Sequence, residues 1–260
     1  MMDKLKVQEI KNIIDKLEEK EYLKYIDMMS KDNRESVKKL ALGLSKKLDK
    51  SRIETERLIK LFEIEEHFIE KGNTLIGGID EAGRGPLAGP VVAACVVLEK
   101  NPMIKKINDS KKISEKVREE LFEEIKNNSI SYGIGIADNN EIDSLNIYGA
   151  TMLAMRRAIE MCDIKPDFIL IDGNQAIKEI SLPQKTVIQG DARCSSIACA
   201  SILAKVTRDS LMKEYAKIYK VYGFEKHKGY GTLEHVDAIR KFGVTPIHRM
   251  SFLGKILEQN

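Results

Sequence analysis

A break in composition near residue 72 constrains this chain more than any motif does. Residues 1–72 hold 17 Lys or Arg and 16 Asp or Glu, so 33 of 72 positions are charged, against 50 of the following 188. All six prolines lie beyond the break, and Gly43 is the only glycine before Gly72. A stretch so rich in long charged side chains and so poor in turn-formers favours helices over a sheet. The expected organisation is a small all-α N-terminal domain over 1–72 and a second domain over 73–260.

Three helices are expected in the first part. Val7, Ile10, Ile13, Ile14 and Leu17 keep helical spacing, and Val37, Leu40, Ala41 and Leu44 form a second run. Ser51-Arg52-Ile53-Glu54 reads as a capping box opening a third helix through Leu58, Leu61, Phe62 and Phe68 to Gly72. Nothing in them carries chemistry. Lys38, Lys39, Lys46 and Lys47 offer a grip on a duplex, but the near balance of charge favours a solvated appendage.

From Thr74 the pattern changes. Strands are expected over Ile76 to Asp80, Val91 to Leu98, Ile130 to Ala137, Phe168 to Ile171 and Thr186 to Ile188. Helices are expected after Ser114, over Asn139 to Ser144 and Asn146 to Asp163, over Ser195 to Tyr219, and from Thr232. Three strands in succession and then two alternating with helices give a mixed sheet with helices on both faces.

The longest apolar stretch, Val91 to Leu98, is too short to cross a bilayer, and Met1 to Lys6 shows no signal-peptide core. The four cysteines form no CxxC pair, so a reduced, cytoplasmic protein without structural zinc is expected; separately, a monomer is expected. Cys194 and Cys199 are read as helix packing rather than catalysis. Net charge is only +3, so any nucleic-acid surface must be local. The four histidines show no metal-binding spacing, and neither a GxSxG elbow nor a P-loop is present.

What recurs is acid at strand ends. Asp80 and Glu81 close the first strand, Asp172 closes the fourth, and Asp191 follows the fifth. Such strands can bring four carboxylates into one crevice, where mutual repulsion calls for divalent cations, Mg²⁺ or Mn²⁺ by the hardness of the donors. Gly83-Arg84-Gly85 lets the backbone approach a phosphate or sugar, although three residues alone also make an ordinary tight turn. Lys111, Lys112, Arg193, Lys205, Arg208 and the Lys226-His227-Lys228 run are candidate phosphate contacts, although each taken singly reads first as solvated surface charge. Tyr230, between two glycines, is placed to stack on a sugar or base. Asp209 is expected to partner Arg208.

Taken together, Gly78-Ile79-Asp80-Glu81-Ala82-Gly83-Arg84-Gly85-Pro86-Leu87-Ala88-Gly89-Pro90 resembles the signature of type 2 ribonucleases H. Asp109-Ser110-Lys111-Lys112, Ile171-Asp172-Gly173, Gly190-Asp191, Ala204 to Asp209 and Lys228-Gly229-Tyr230-Gly231-Thr232 are similar to its later blocks, in order, over about residues 74 to 250. The resemblance implies a five-stranded RNase H-like sheet flanked by helices and cleavage of the RNA strand of RNA–DNA hybrids. It also implies nicking 5′ of single ribonucleotides in duplex DNA, as in ribonucleotide and primer removal. Asp80, Glu81, Asp172 and Asp191 would be the catalytic, metal-holding carboxylates. Gly83, Arg84 and Gly85 would sense the ribonucleotide, and Tyr230 would stack on the next sugar. The competing expectations are type 3 activity, whose last carboxylate is a glutamate, and a catalytically silent hybrid-binding protein.

Overall fold

The computed structural model describes residues 4–258; the expected domain ends at 1–3 and 259–260 lie outside it. Two compact units divide at Arg57 and Leu58, inside a helix and ahead of the compositional break.

In the first unit, α1 (Val7–Ile14), α2 (Tyr22–Ser30) and the first part of α3 (Glu35–Leu61) bury Ile10, Tyr22, Met29, Val37, Ala41, Leu44 and Leu48 around one core. The sequence did not announce α2. The expected second and third helices are one helix, because no glycine or proline after Gly43 interrupts α3. Ser51 therefore sits in mid-helix, and its hydroxyl donates to the Glu19 carboxylate at 2.6 Å. Lys38 pairs with Glu35, and Lys47 lies over the Tyr22 ring.

In the second unit, α4 (Glu63–Glu70) precedes a five-stranded sheet of β1 (Ile76–Ala82), β2 (Val91–Leu98), β3 (Ser131–Ala137), β4 (Phe168–Asp172) and β5 (Gln184–Val187). The order is β3-β2-β1-β4-β5, antiparallel through β1 to β3 and parallel through β1, β4 and β5. β2 is buried along its whole length, as its unbroken apolar run requires. One sheet face packs on α6 (Asn139–Glu160) through Ile79, Cys95, Val97, Ala154 and Ala158. The other packs on α5 (Glu115–Asn128) and α7 (Ser195–Ile218) through Ala94, Val96, Leu121, Cys199 and Leu203. Asn146 kinks α6 at φ 57°, and its Oδ1 accepts the amides of Tyr148 and Gly149, so the two expected helices meet there.

α7 lies close to β1 because position 78 has no side chain: a Cβ there would come within 2.2 Å of the Ser196 backbone. No side chain of its own caps α7. Glu65 of α4 does so, its Oε1 accepting both the amide and the hydroxyl of Ser196 at 2.7 Å. The chain ends with α8 (Phe224–His227), α9 (Leu233–Phe242) and α10 (Gly254–Leu257). No helix among the described residues is long and apolar enough to cross a membrane.

Candidate functional site

Parallel pairing sets the position of the acids. Ile79 of β1 lies opposite Ile171 of β4, so Asp80 and Asp172 follow on neighbouring strands at the same edge of the sheet. β5 ends beside Asp172, and a left-handed Gln189 leads into the single turn that carries Asp191. Asp172 Oδ1 accepts the Gly190 amide at 2.7 Å and ties that turn to β4. Glu81 follows Asp80, whose Oδ1 accepts the Glu81 amide at 2.7 Å.

All four carboxylates line one pocket of about 340 Å³, together with Gly83, Arg84, Gly85, Lys111, Lys205 and Tyr230. A larger groove of about 680 Å³ near Leu145 shows no such convergence; its Glu141 is satisfied by Arg157 at 2.7 Å. Burial pushes the Asp80 carboxyl well above the usual range, and the charges of Glu81 and Asp172 add to it. Burial also raises Glu81, against the opposing pull of Arg84 at 3.2 Å. Asp191 is raised by burial and then by Asp109 and Asp172. Among the described residues, no three such side chains already converge on one metal-sized point. The donor set is nevertheless all carboxylate and short of positive charge, which suits a hard divalent cation such as Mg²⁺ or Mn²⁺.

The glycine-rich loop is held from beneath. Gly83 has φ 96°, and a Cβ on it would lie 2.0 Å from Arg208 Nε. Arg208, expected at the surface as a phosphate contact, is only 1% exposed. Its three nitrogens donate to the carbonyls of Pro90, Lys228 and Ala88 at 2.9–3.1 Å. Arg249, which the sequence did not single out, donates to the carbonyls of Gly83, Arg84, Gly89 and Pro90 at 2.6–3.1 Å. Burial, followed by the neighbouring Arg208, lowers Arg249 to about 9. Tyr230 is 45% exposed, and its ring edge lies 3.6 Å from where a Cβ on Gly85 would be.

The remaining basic residues separate. Lys111 reaches the pocket, whereas Lys112 turns toward Asp109, 3.7 Å away. Lys205 lines the pocket and pairs with Asp209 at 2.7 Å, so Asp209 partners the lysine one turn back and not Arg208. Arg193 donates to the Ile188 carbonyl, and Lys226 pairs with Glu234. Ser201, another residue without a sequence signal, donates to Ser110 at 3.0 Å and lies within hydrogen-bond reach of Asp80. Cys194 and Cys199 are fully buried, and burial pushes both thiols up, away from reactivity.

Comparison with known proteins gives a consistent answer. The family model described as Ribonuclease HII matches residues 77–255, and that of the Ribonuclease HII N-terminal domain matches residues 6–68. Ribonuclease HII of Clostridioides difficile (strain 630) is 54% identical over 259 residues, 99% of this chain and 100% of that protein. The crystal structure of ribonuclease H2 from Pyrococcus horikoshii OT3 superposes with a TM-score of 0.59 at 24% identity, covering 71% of this chain and 98% of that one. That of Bst-RNase HIII in complex with Mn²⁺ gives 0.53 at 17% identity, covering 72% and 70%. The latter two show the RNase H-like fold.

Proposed function

The chain belongs to the ribonuclease HII family, and on that premise we propose that it hydrolyses the RNA strand of RNA–DNA hybrids and nicks duplex DNA 5′ of single embedded ribonucleotides. The observation that carries the proposal is the meeting of Asp80, Glu81, Asp172 and Asp191 with Gly83-Arg84-Gly85 and Tyr230 in one pocket. Removal of misincorporated ribonucleotides and of RNA primers follows as the cellular role, in the cytoplasm and as a monomer.

The four carboxylates would hold two Mg²⁺ or Mn²⁺ ions, a use of divalent metal consistent with the Mn²⁺ complex of Bst-RNase HIII. Bound there, the ions would supply Lewis acidity for attack by water and for departure of the 3′ oxygen. The chain's own residues do the selecting. A 2′-hydroxyl is the only group that separates a ribonucleotide from its DNA neighbours. Backbone groups of Gly83 to Gly85, fixed from below by Arg208 and Arg249, can hydrogen-bond it. Tyr230 stacks on the following sugar, while Arg84, Lys111 and Lys205 offer charge to the flanking phosphates. Among the described residues no histidine lines the pocket, which suits hydrolysis without a protein general base. Products carry 5′-phosphate and 3′-hydroxyl ends.

The test is an end-labelled DNA duplex with one ribonucleotide, incubated with Mg²⁺, Mn²⁺ or chelator. A metal-dependent nick on the 5′ side of the ribonucleotide is expected. Cleavage of all-RNA hybrid strands but not of this duplex would indicate type 3 behaviour. No cleavage of either by folded protein would indicate a hybrid-binding protein.

A further inference from the structure

Three histidines gather beside the pocket without entering it. His227 at the end of α8 stacks on His235 of α9 with ring centroids 4.6 Å apart. His235 in turn meets His248 through their Nε2 atoms, 3.1 Å apart. His235 is 0% exposed and His248 is 2% exposed. Proposed catalysis uses none of them.

Their fixed neighbours determine where each hydrogen sits. The Tyr230 carbonyl can only accept, so His235 Nδ1, 2.9 Å away, carries a hydrogen. The Thr245 amide can only donate, so His248 Nδ1, 2.8 Å away, presents a lone pair. A neutral imidazole has one hydrogen and one lone pair. That leaves the hydrogen of His248 on Nε2 and the lone pair of His235 on Nε2, and the two match. Adding a proton to His235 would set two N–H groups face to face. Adding one to His248 would leave the Thr245 amide without its acceptor. Burial lowers both rings below the ordinary histidine range, His248 to about 4, which agrees with two neutral rings. His227 Nδ1 accepts the Gly229 amide and its Nε2 meets the Tyr222 carbonyl. Of the charged neighbours, Lys226 pairs with Glu234 and Arg249 donates to the loop carbonyls.

The chain joins the two halves of the pocket. His248 forms a β-bridge with Ala88 of the glycine-rich loop, while its ring reaches, through His235, the carbonyl of Tyr230. The Leu87 amide also donates to the Gly229 carbonyl at 2.8 Å. We propose that His235 and His248 are positioning residues for Tyr230, a one-way run of hydrogen bonds from Thr245 through both rings that sets the tyrosine against Gly85 and thereby sharpens recognition of the ribonucleotide. The inference rests on the proposed sugar-stacking role of Tyr230.

Nitrogen-15 spectra of the imidazoles in the full chain at neutral pH read the chain directly. The expected pattern is neutral His235 with hydrogen on Nδ1 and neutral His248 with hydrogen on Nε2. Both rings with hydrogen on Nε2, or either ring charged, would overturn it. In kinetics, His248→Phe keeps a ring but removes both nitrogens. It should raise KM for the single-ribonucleotide duplex on the order of tenfold, about one buried hydrogen bond, and leave kcat within about twofold. His248→Gln, whose amide can still donate toward His235, should recover most of the loss. A fall in kcat at unchanged KM, or a Gln variant as damaged as Phe, would overturn the proposal, and if His248→Phe does not fold the nitrogen spectrum decides. Tyr230→Ala distinguishes the underlying reading: if that variant is unimpaired, the role of Tyr230 fails. A damaged Tyr230→Ala beside an unaffected His248→Phe removes only the histidine chain.

Discussion

On one side of the pocket, Asp80, Glu81, Asp172 and Asp191 meet Arg84 and Lys111, with Lys205 drawn off to Asp209, and burial drives three of the acids toward protonation. On the other side, Arg208 and Arg249 lie fully buried beneath the glycine-rich loop, with no carboxylate among the described residues bonded to either. Every guanidinium nitrogen of both arginines donates to a backbone carbonyl, so that cluster has its partners as folded. The acids can be completed only by something added, a proton or a metal ion. Glu65 is an intermediate case, since one oxygen accepts twice from Ser196 and the other is buried without a partner. Buried charge here is settled by carbonyls, by a proton or by a ligand, and only the last kind opens onto the pocket.

The largest test of that contrast is Asp80→Asn. Loss of one carboxylate should cut metal-dependent cleavage on the order of 10³-fold. It should also raise the melting temperature without metal, because a repelling charge is gone, and reduce the further rise that Mn²⁺ gives. A lower melting temperature without metal would mean that the acid cluster is already satisfied.

Next comes Arg249→Met, which takes a donor from the carbonyls of Gly83, Arg84 and Gly89 and leaves Pro90 with Arg208 alone. Unfolding free energy should fall by about 3 kcal/mol or more, measured by urea denaturation without metal. If stability holds while cleavage is lost, Arg249 serves the substrate rather than the fold.

Glu65 gives a comparable effect that depends on pH. Burial lifts its pKa from 4.5 to about 7. A carboxyl raised in the folded state contributes stability that is fully present below its unfolded pKa and is lost as pH climbs through 7. At about 1.4 kcal/mol per unit the loss is roughly 3 kcal/mol. His248, lowered to about 4, acts with the opposite sign as pH falls from 6.5. The reading is therefore the difference between wild type and Glu65→Gln in urea unfolding at pH 5 and pH 8: the variant should lose less stability on going to pH 8.

The four acids were legible because each closes or follows an apolar run, and parallel strands carry such ends to one edge. Gly83, Arg84, Gly85 and Tyr230 were legible as motif blocks, and they do line the same pocket. The loop floor was not legible. Nothing local distinguishes Arg208 from a surface arginine, because its partners are carbonyls at 88, 90 and 228. Arg249 comes from yet another segment. Sequence adjacency assigns Asp209 to Arg208, but adjacent helical side chains diverge and the i−4 lysine is the one in reach. In α3, the spacing of Ser51 and Glu54 that suggests a helix start also occurs in the middle of any helix. Only a breaker could have distinguished the two, and none lies between Gly43 and Leu61.

Gly78 has a practical consequence for reading sequence variation in this chain. It sits two positions before Asp80 and does not line the pocket, yet any larger residue there meets the backbone of α7. A saturation library scored for growth would show position 78 as empty of tolerated changes as position 80. An assay that scored protein abundance separately from turnover would tell them apart: variants at 78 would disappear from the cell, whereas Asp80→Asn would accumulate as folded, inactive protein. Intolerance at the first position records a distance between two pieces of backbone, and at the second the proposed reaction.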